Sequence, residues 1–164
     1  ANIYEFLAWK FPEQKNKVVH DRFIGGPDSF NLFDPAVVLQ AALSGECELC
    51  TKALDFFVGA YGAEAGVAAL KFMPYGGLYL TGGVTSKSKE FILGREGTPH
   101  AFMEAFLDKG RVSPMLRQIP IFLVTEEDMG ERGVRFRAAR LYQEFAKARK
   151  KSKGHMSLAR PSPN

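Results

Sequence analysis

The chain has 164 residues, 46% of them hydrophobic and 24% charged, the proportions of a soluble globular protein long enough to bury one core. No uninterrupted apolar run approaches the ~20 residues that cross a bilayer, and residues 1–10 lack the pattern of a cleaved signal; no membrane partner is expected, and a cytoplasmic location is, with an organellar one left open. The net charge of +4 hides a balance of −5 over residues 1–131 and +9 over 132–164, so the basic character belongs to the tail and the body is not built as a nucleic-acid surface.

Residues 1–10 (A-N-I-Y-E-F-L-A-W-K) put Ile3, Phe6 and Leu7 at helical spacing, and Pro12 ends the pattern. The chain opens inside this helix without an initiator Met, which points either to a piece of something longer or to routine Met removal before Ala. Residues 18–24, carrying His20, Asp21 and Arg22, read as a short extended stretch closed by the breaker Gly25-Gly26-Pro27. Asp28 or Ser29 is placed to cap a short helix. Asp34-Pro35 opens another, Pro suiting the first helical position and Val37, Val38, Leu39 and Leu43 forming the apolar face.

Both cysteines lie in C-E-L-C, as Cys47 and Cys50. Such a pair is redox-active, half of a zinc site, or simply two reduced thiols near a helix start. The longest helical pattern, residues 46–72, follows with Leu49, Ala53, Phe56, Phe57, Ala60, Val67 and Leu70. Gly59, Gly62 and Gly66 permit close approach of a neighbour at ~1 kcal/mol of propensity each, and apolar residues on several sides place this helix in the interior.

The stretch at residues 75–87, Y-G-G-L-Y-L-T-G-G-V-T-S-K, organises the rest. Its short apolar run between glycine pairs fits a buried parallel strand. Gly82 and Gly83 fall where that strand would leave the sheet, and Ser86 is placed to cap a helix from Lys87 to Leu93. A strand, a glycine turn and a helix start mark the carboxyl edge at which α/β sheets collect ligands. The spacing is neither G-x-G-x-x-G nor a Walker A loop. Residues 99–107 read as a helix with Phe102 and Phe106 four apart, closed by Asp108-Lys109-Gly110-Arg111 with Gly110 just past its end. Residues 114–118 give one more turn. Residues 119–125 (I-P-I-F-L-V-T) form the second strand, with Pro120 near its start, and residues 131–151 the last helix. Glu126, Glu127 and Asp128 read as acids favouring that helix's start rather than as metal ligands. Two strands are too few for a self-standing doubly wound sheet, so the pattern is that of an α/β domain missing its first strands.

The stretches C-E-L-C-T-K-A-L-D-F-F, G-G-L-Y-L-T-G-G, A-F-L-D-K-G-R, I-P-I-F-L-V-T and G-E-R-G-V-R-F-R-A-A, with residues 3–141 around them, resemble the C-terminal half of bacterial-type glucokinases, within the hexokinase and actin-like ATPase superfamily. The resemblance implies part of an RNase H-like large domain over residues 1–149, mostly helical with few strands here, before a basic tail at 150–164 expected to be disordered. It implies ATP-dependent phosphorylation of glucose to glucose 6-phosphate, the opening step of glycolysis, with ATP and Mg2+ required. It also places the general base in the N-terminal half of the same enzyme, so no catalytic residue and no metal ligand is assigned to this chain, which alone should be inactive. A homodimer is allowed. Asp21 falls on the sugar-binding Glu of a family segment E-x-x-x-S-G, here D-R-F-I-G-G, one methylene shorter than the family residue. Thr81, Gly82, Gly83 and Val84 fall on the glycine pair beside the nucleotide. A non-catalytic regulator or actin-like ATPase of the same superfold is the alternative, and the basic tail as a nucleic-acid or partner-binding arm is a third reading.

Overall fold

The structure, a computed structural model, describes residues 1–25 and 33–157, with side chains through residue 149. Helix α1 (Asn2–Lys10) buries Tyr4, Leu7 and Ala8 and ends before Pro12, which starts a 3₁₀ turn. Helix α2 (Lys17–Ile24) stands where an extended stretch was expected. The side chain of Asn16 accepts a hydrogen bond from the Val19 N–H at 3.2 Å, and Val19 and Phe23, four residues apart, are fully buried. The β-branched pair Val18 and Val19 suggested extended backbone, but propensity differences of a few tenths of a kcal/mol yield to burial of one helical face. Gly25, at φ 76°, ends the helix. The rest of the Gly-Gly-Pro breaker and the helix expected from Asp28 or Ser29 lie outside the described residues.

Helix α3 (Pro35–Leu43) starts as its sequence indicates, with Asp34 accepting from the Ala36 N–H at 2.9 Å. The next helix, α4 (Glu48–Phe72), is the axis of the fold. By length and composition it is apolar enough to cross a membrane, with a mean hydropathy of 1.3. Here that apolarity serves the core: Leu49, Cys50, Val58 and Ala69 are fully buried, and α1 and α3 pack along it. It stops at Met73, in the left-handed region at φ 45°, and Pro74 cannot continue it.

Strand β1 (Leu78–Leu80) follows, then two short helices, α5 (Gly83–Lys87) and α6 (Lys89–Leu93), where one helix capped by Ser86 was expected. The left-handed turn at Gly82, φ 111°, lets the chain become helical at once, and Ser88 separates the two pieces. Helix α7 (Ala101–Leu107) makes the closest packing with α4. A Cβ on Gly62 would stand 2.2 Å from the Phe102 carbonyl oxygen, and one on Gly66 2.5 Å from that of Phe106; the glycines let the two backbones touch. Lys109 Nζ donates to the carbonyls of Ala105 (2.7 Å) and Asp108 (3.2 Å), closing α7. Gly110, expected immediately past the helix, instead opens a 3₁₀ turn (Gly110–Val112) at φ 56° before helix α8 (Ser113–Leu116).

Strand β2 (Ile121–Leu123) pairs in parallel with β1, Leu78 opposite Ile121, Tyr79 opposite Phe122 and Leu80 opposite Leu123. Pro120 lies just ahead of the strand and contributes only its carbonyl, which accepts from the Leu78 N–H at 2.8 Å. One face of this sheet turns Leu80 into the core; the other leaves Tyr79 and Phe122 exposed and stacked on each other at 5.0 Å. Helix α9 (Met129–Ser157) extends past the expected end near residue 151. Ion pairs four residues apart brace its start, Asp128 just ahead of it with Arg132 and Glu131 with Arg135, and Val134, Phe136, Tyr142 and Phe145 are exposed along it. The tail beyond Ser157 lies outside the described residues.

Candidate functional site

The site begins where β1 ends. Thr81 is exposed, and Gly82 takes a φ of 111° that an L side chain rarely adopts; a Cβ there would meet nothing within 4 Å, so conformation and not crowding demands glycine. Gly83 opens α5, and a Cβ on it would lie 3.9 Å from Glu127 Oε2, which brings that carboxylate from beyond β2 to the mouth of the turn. Val84 projects outward, whereas Thr85 turns in and is buried. Thr85 Oγ1 donates to the Thr81 carbonyl at 3.3 Å and lies 3.2 Å from Tyr61 Oη on α4.

Beside this turn lies a cleft of about 560 Å³, walled by α5 on one side and by α1, α3 and α4 on the others. Its surface is mainly apolar, with Pro35, Leu39, Phe57 and Val84 on the walls; Lys87 is the charged side chain among its described lining residues. A large apolar cavity with few polar groups is the usual form of a small-molecule site. Gly83 and Val84 line it directly, and Thr81 and Gly82 adjoin it through the chain. Asp21 does not line it: that residue is exposed on α2. Sequence reasoning missed Lys87 and the apolar wall. Leu39 and Phe57 were legible only as core-facing positions, because periodicity does not distinguish a wall from a core.

The histidine next to Asp21 is structural in its surroundings. His20 packs its ring near Tyr4 (6.0 Å) and Phe23 (6.3 Å), and burial, followed by Lys15, lowers its pKa. Of the three readings of C-E-L-C, two reduced thiols at a helix start describe what is present. Both cysteines are free and buried, and Cys47 Sγ accepts from the Cys50 N–H at 3.3 Å, capping α4. Burial, then the neighbouring Cys47, pushes the Cys50 thiol well above the usual thiol range, the opposite of a reactive cysteine. Among the described residues no group of three His, Cys, Asp or Glu side chains could hold a metal ion.

A parallel strand pair whose glycine exit borders an apolar cleft is the arrangement at which α/β folds commonly collect ligands. A solved glucokinase from an Antarctic psychrotroph has the same fold, of the ATPase-like type, over 78% of this chain and 34% of its own, with a TM-score of 0.57 and 27% identity. The glucokinase family model matches residues 1–141, and the chain belongs to the glucokinase family. Among its relatives, a Synechocystis glucokinase is 36% identical over 79% of this chain and 37% of its own length, and one from Nostoc is 41% identical over 66% and 30%. The chain thus spans about a third of the length of the curated relatives it matches.

Proposed function

We propose that the protein containing this chain phosphorylates glucose with ATP, giving glucose 6-phosphate, and that the cleft beside α5 receives the nucleotide. The observation that carries the reading is the open main chain at Gly82 and Gly83, on the edge of an apolar cleft large enough for a nucleoside. A base would lie against Leu39, Phe57 and Val84, and the phosphates beside the glycine turn, where no Cβ keeps them from the backbone. Magnesium neutralises charge on transferring phosphates and is ordinarily held by one or two carboxylates together with the phosphates themselves. In this reading no carboxylate of this chain is assigned to that purpose.

Asp21, on the solvent side of α2, is the sugar contact in this reading, accepting a hydrogen bond from a glucose hydroxyl directly or through water. The general base belongs to the N-terminal half of the enzyme. Two features support a missing half as the main partner. Parallel sheets are normally covered on both faces, yet Tyr79 and Phe122 stand exposed. The apolar side chains of α9, Val134 and Phe145 among them, are exposed as well.

Two measurements test the proposal. The 164-residue chain alone should show no glucose-dependent ATP consumption; measurable turnover would overturn the assignment of the base elsewhere. In the full-length enzyme, Gly82→Ala should raise the KM for ATP and leave that for glucose, and Asp21→Asn should do the reverse. If Gly82→Ala leaves ATP binding at the parental level, the nucleotide site lies elsewhere.

A further inference from the structure

We propose that Tyr61 and Thr85 form a hydroxyl relay that sets the main-chain conformation on which the nucleotide is held, so that both act as positioning residues for ATP; the inference rests on the nucleotide reading of residues 81–84. The bond directions follow from chemistry. A carbonyl oxygen can only accept, so the single proton of Thr85 goes to Thr81 O at 3.3 Å. The Thr85 oxygen is then left as an acceptor, and Tyr61 Oη, 3.2 Å away, donates to it. Hydrogen bonds in such a chain polarise one another in the same sense.

The relay runs from the central helix to the turn at Gly82. Tyr61 belongs to the central helix and leans edge-on against the fully buried Phe102 ring, 5.6 Å between centroids. Thr85 is 4% exposed, so water has little access to replace a lost partner. At the far end, Thr81 precedes Gly82, where a Cβ would touch nothing within 4 Å and no side chain is present to anchor the turn. The downstream side is held by the helix itself, with the Ser86 N–H on the Gly82 carbonyl at 3.0 Å. On the upstream side the Val124 N–H holds the Leu80 carbonyl at 2.8 Å, and the next carbonyl, that of Thr81, is held by Thr85 and, through it, by Tyr61. A glycine at φ 111° has much freedom to lose, and a turn already fixed spares a ligand that ordering cost.

The test uses the full-length enzyme and two readouts, steady-state kinetics and titration with a fluorescent ATP analogue. Thr85→Val and Tyr61→Phe should each weaken the analogue and raise the ATP KM by about five- to tenfold, the loss of roughly one hydrogen bond. The glucose KM and the kcat at saturating ATP should stay near the parent. Thr85→Ser, which keeps the hydroxyl, should restore parental ATP binding, and the double variant should be no worse than Thr85→Val. Parental ATP binding in both single variants overturns the relay. So does a loss shared equally by kcat and both KM values, which marks a merely structural pair. Gly82→Ala run alongside separates the two ideas: ATP binding sensitive to Gly82 but not to the relay removes only the relay, whereas insensitivity to all three removes the nucleotide reading too.

Discussion

Replacing Gly62 with Ala should destabilise the fold, although alanine is the better helix former. In an unconstrained helix interior the exchange gains about 1 kcal/mol. At Gly62 the new Cβ would stand 2.2 Å from the Phe102 carbonyl oxygen and 2.9 Å from the carbon and Cα behind it, where ordinary contact begins at 3.4 Å. Helices α4 and α7 must therefore part by about 1 Å, and the obstacle is backbone that no rotamer change relieves. Overpacking costs ~1–3 kcal/mol, and an obstacle of this kind belongs at the top of that range. Setting the helix gain against it leaves a net loss of about 2 kcal/mol, or about 4–8 °C in Tm for a chain of this size. Gly59 supplies the control: its Cβ would lie 3.9 Å from the Ala101 oxygen, so Gly59→Ala should keep the helix gain and raise Tm slightly. Circular dichroism melts of parent and both variants at one concentration read the difference. A Gly62→Ala protein melting at or above the parent refutes the close-approach argument, and equal losses at both sites refute the claim that Phe102 is the cause.

Stability should also fall as the solution is made alkaline. Burial holds the Cys50 thiol and, with the two thiols nearby, the Tyr4 phenol protonated to unusually high pH. An unfolded thiol ionises near pH ~8.5 and an unfolded tyrosine near ~10, so above ~8.5 the unfolded state binds fewer protons than the native one and unfolding becomes easier as pH rises. Urea midpoints should drop between about pH 7.5 and about pH 9.5, and a flat series would count against the buried thiol. Asn16→Ala should cost about 1 kcal/mol by removing the cap of α2, plus the bond from its Nδ2 to the Glu46 carbonyl at 3.1 Å. Asn16→Asp, which keeps the cap acceptor and loses that donor, should melt between parent and Ala; a melt equal to the Ala variant would show that the cap contributes nothing.

What could be read from the sequence was local and periodic. The long helix α4, its glycines and the Pro-initiated α3 were visible because spacing and breakers act over a few residues. The strands were visible for the same reason, each a short apolar run with Gly or Pro at its border. Helix α2 was not, because Val18 and Val19 carry the wrong propensity and the burial that overrides it comes from partners distant in sequence. The glycine pair stood out as a candidate, but the cleft beside it did not: Leu39 and Phe57 obey the same periodicity as core residues, and the chain does not announce which apolar face stays open. Tyr61 was invisible as well. Its meaning depends on a hydroxyl 24 residues away, and nothing in either neighbourhood marks the pair.

The α4–α7 contact and the Tyr61–Thr85 pair meet at Phe102. Tyr61 and Gly62 are neighbours on α4, and both touch Phe102, one through its ring and the other through its backbone. The spacing of α4 and α7 therefore sets the compactness of the core, and the Phe102 ring on α7 backs the tyrosine whose hydroxyl meets Thr85 on α5. Hydrogen bonds are intolerant of displacement: a bond already at 3.2 Å has only a few tenths of an ångström before it ceases to be one. A helix separation of about 1 Å shifts the Phe102 ring that backs Tyr61, and a shift of Tyr61 by a third of that amount uses up the margin. Glycine at position 62 then has a role beyond packing. By letting two backbones meet, it keeps Phe102 against the Tyr61 ring, and on the relay proposed above a change made for the core is expected to reach the turn at Gly82.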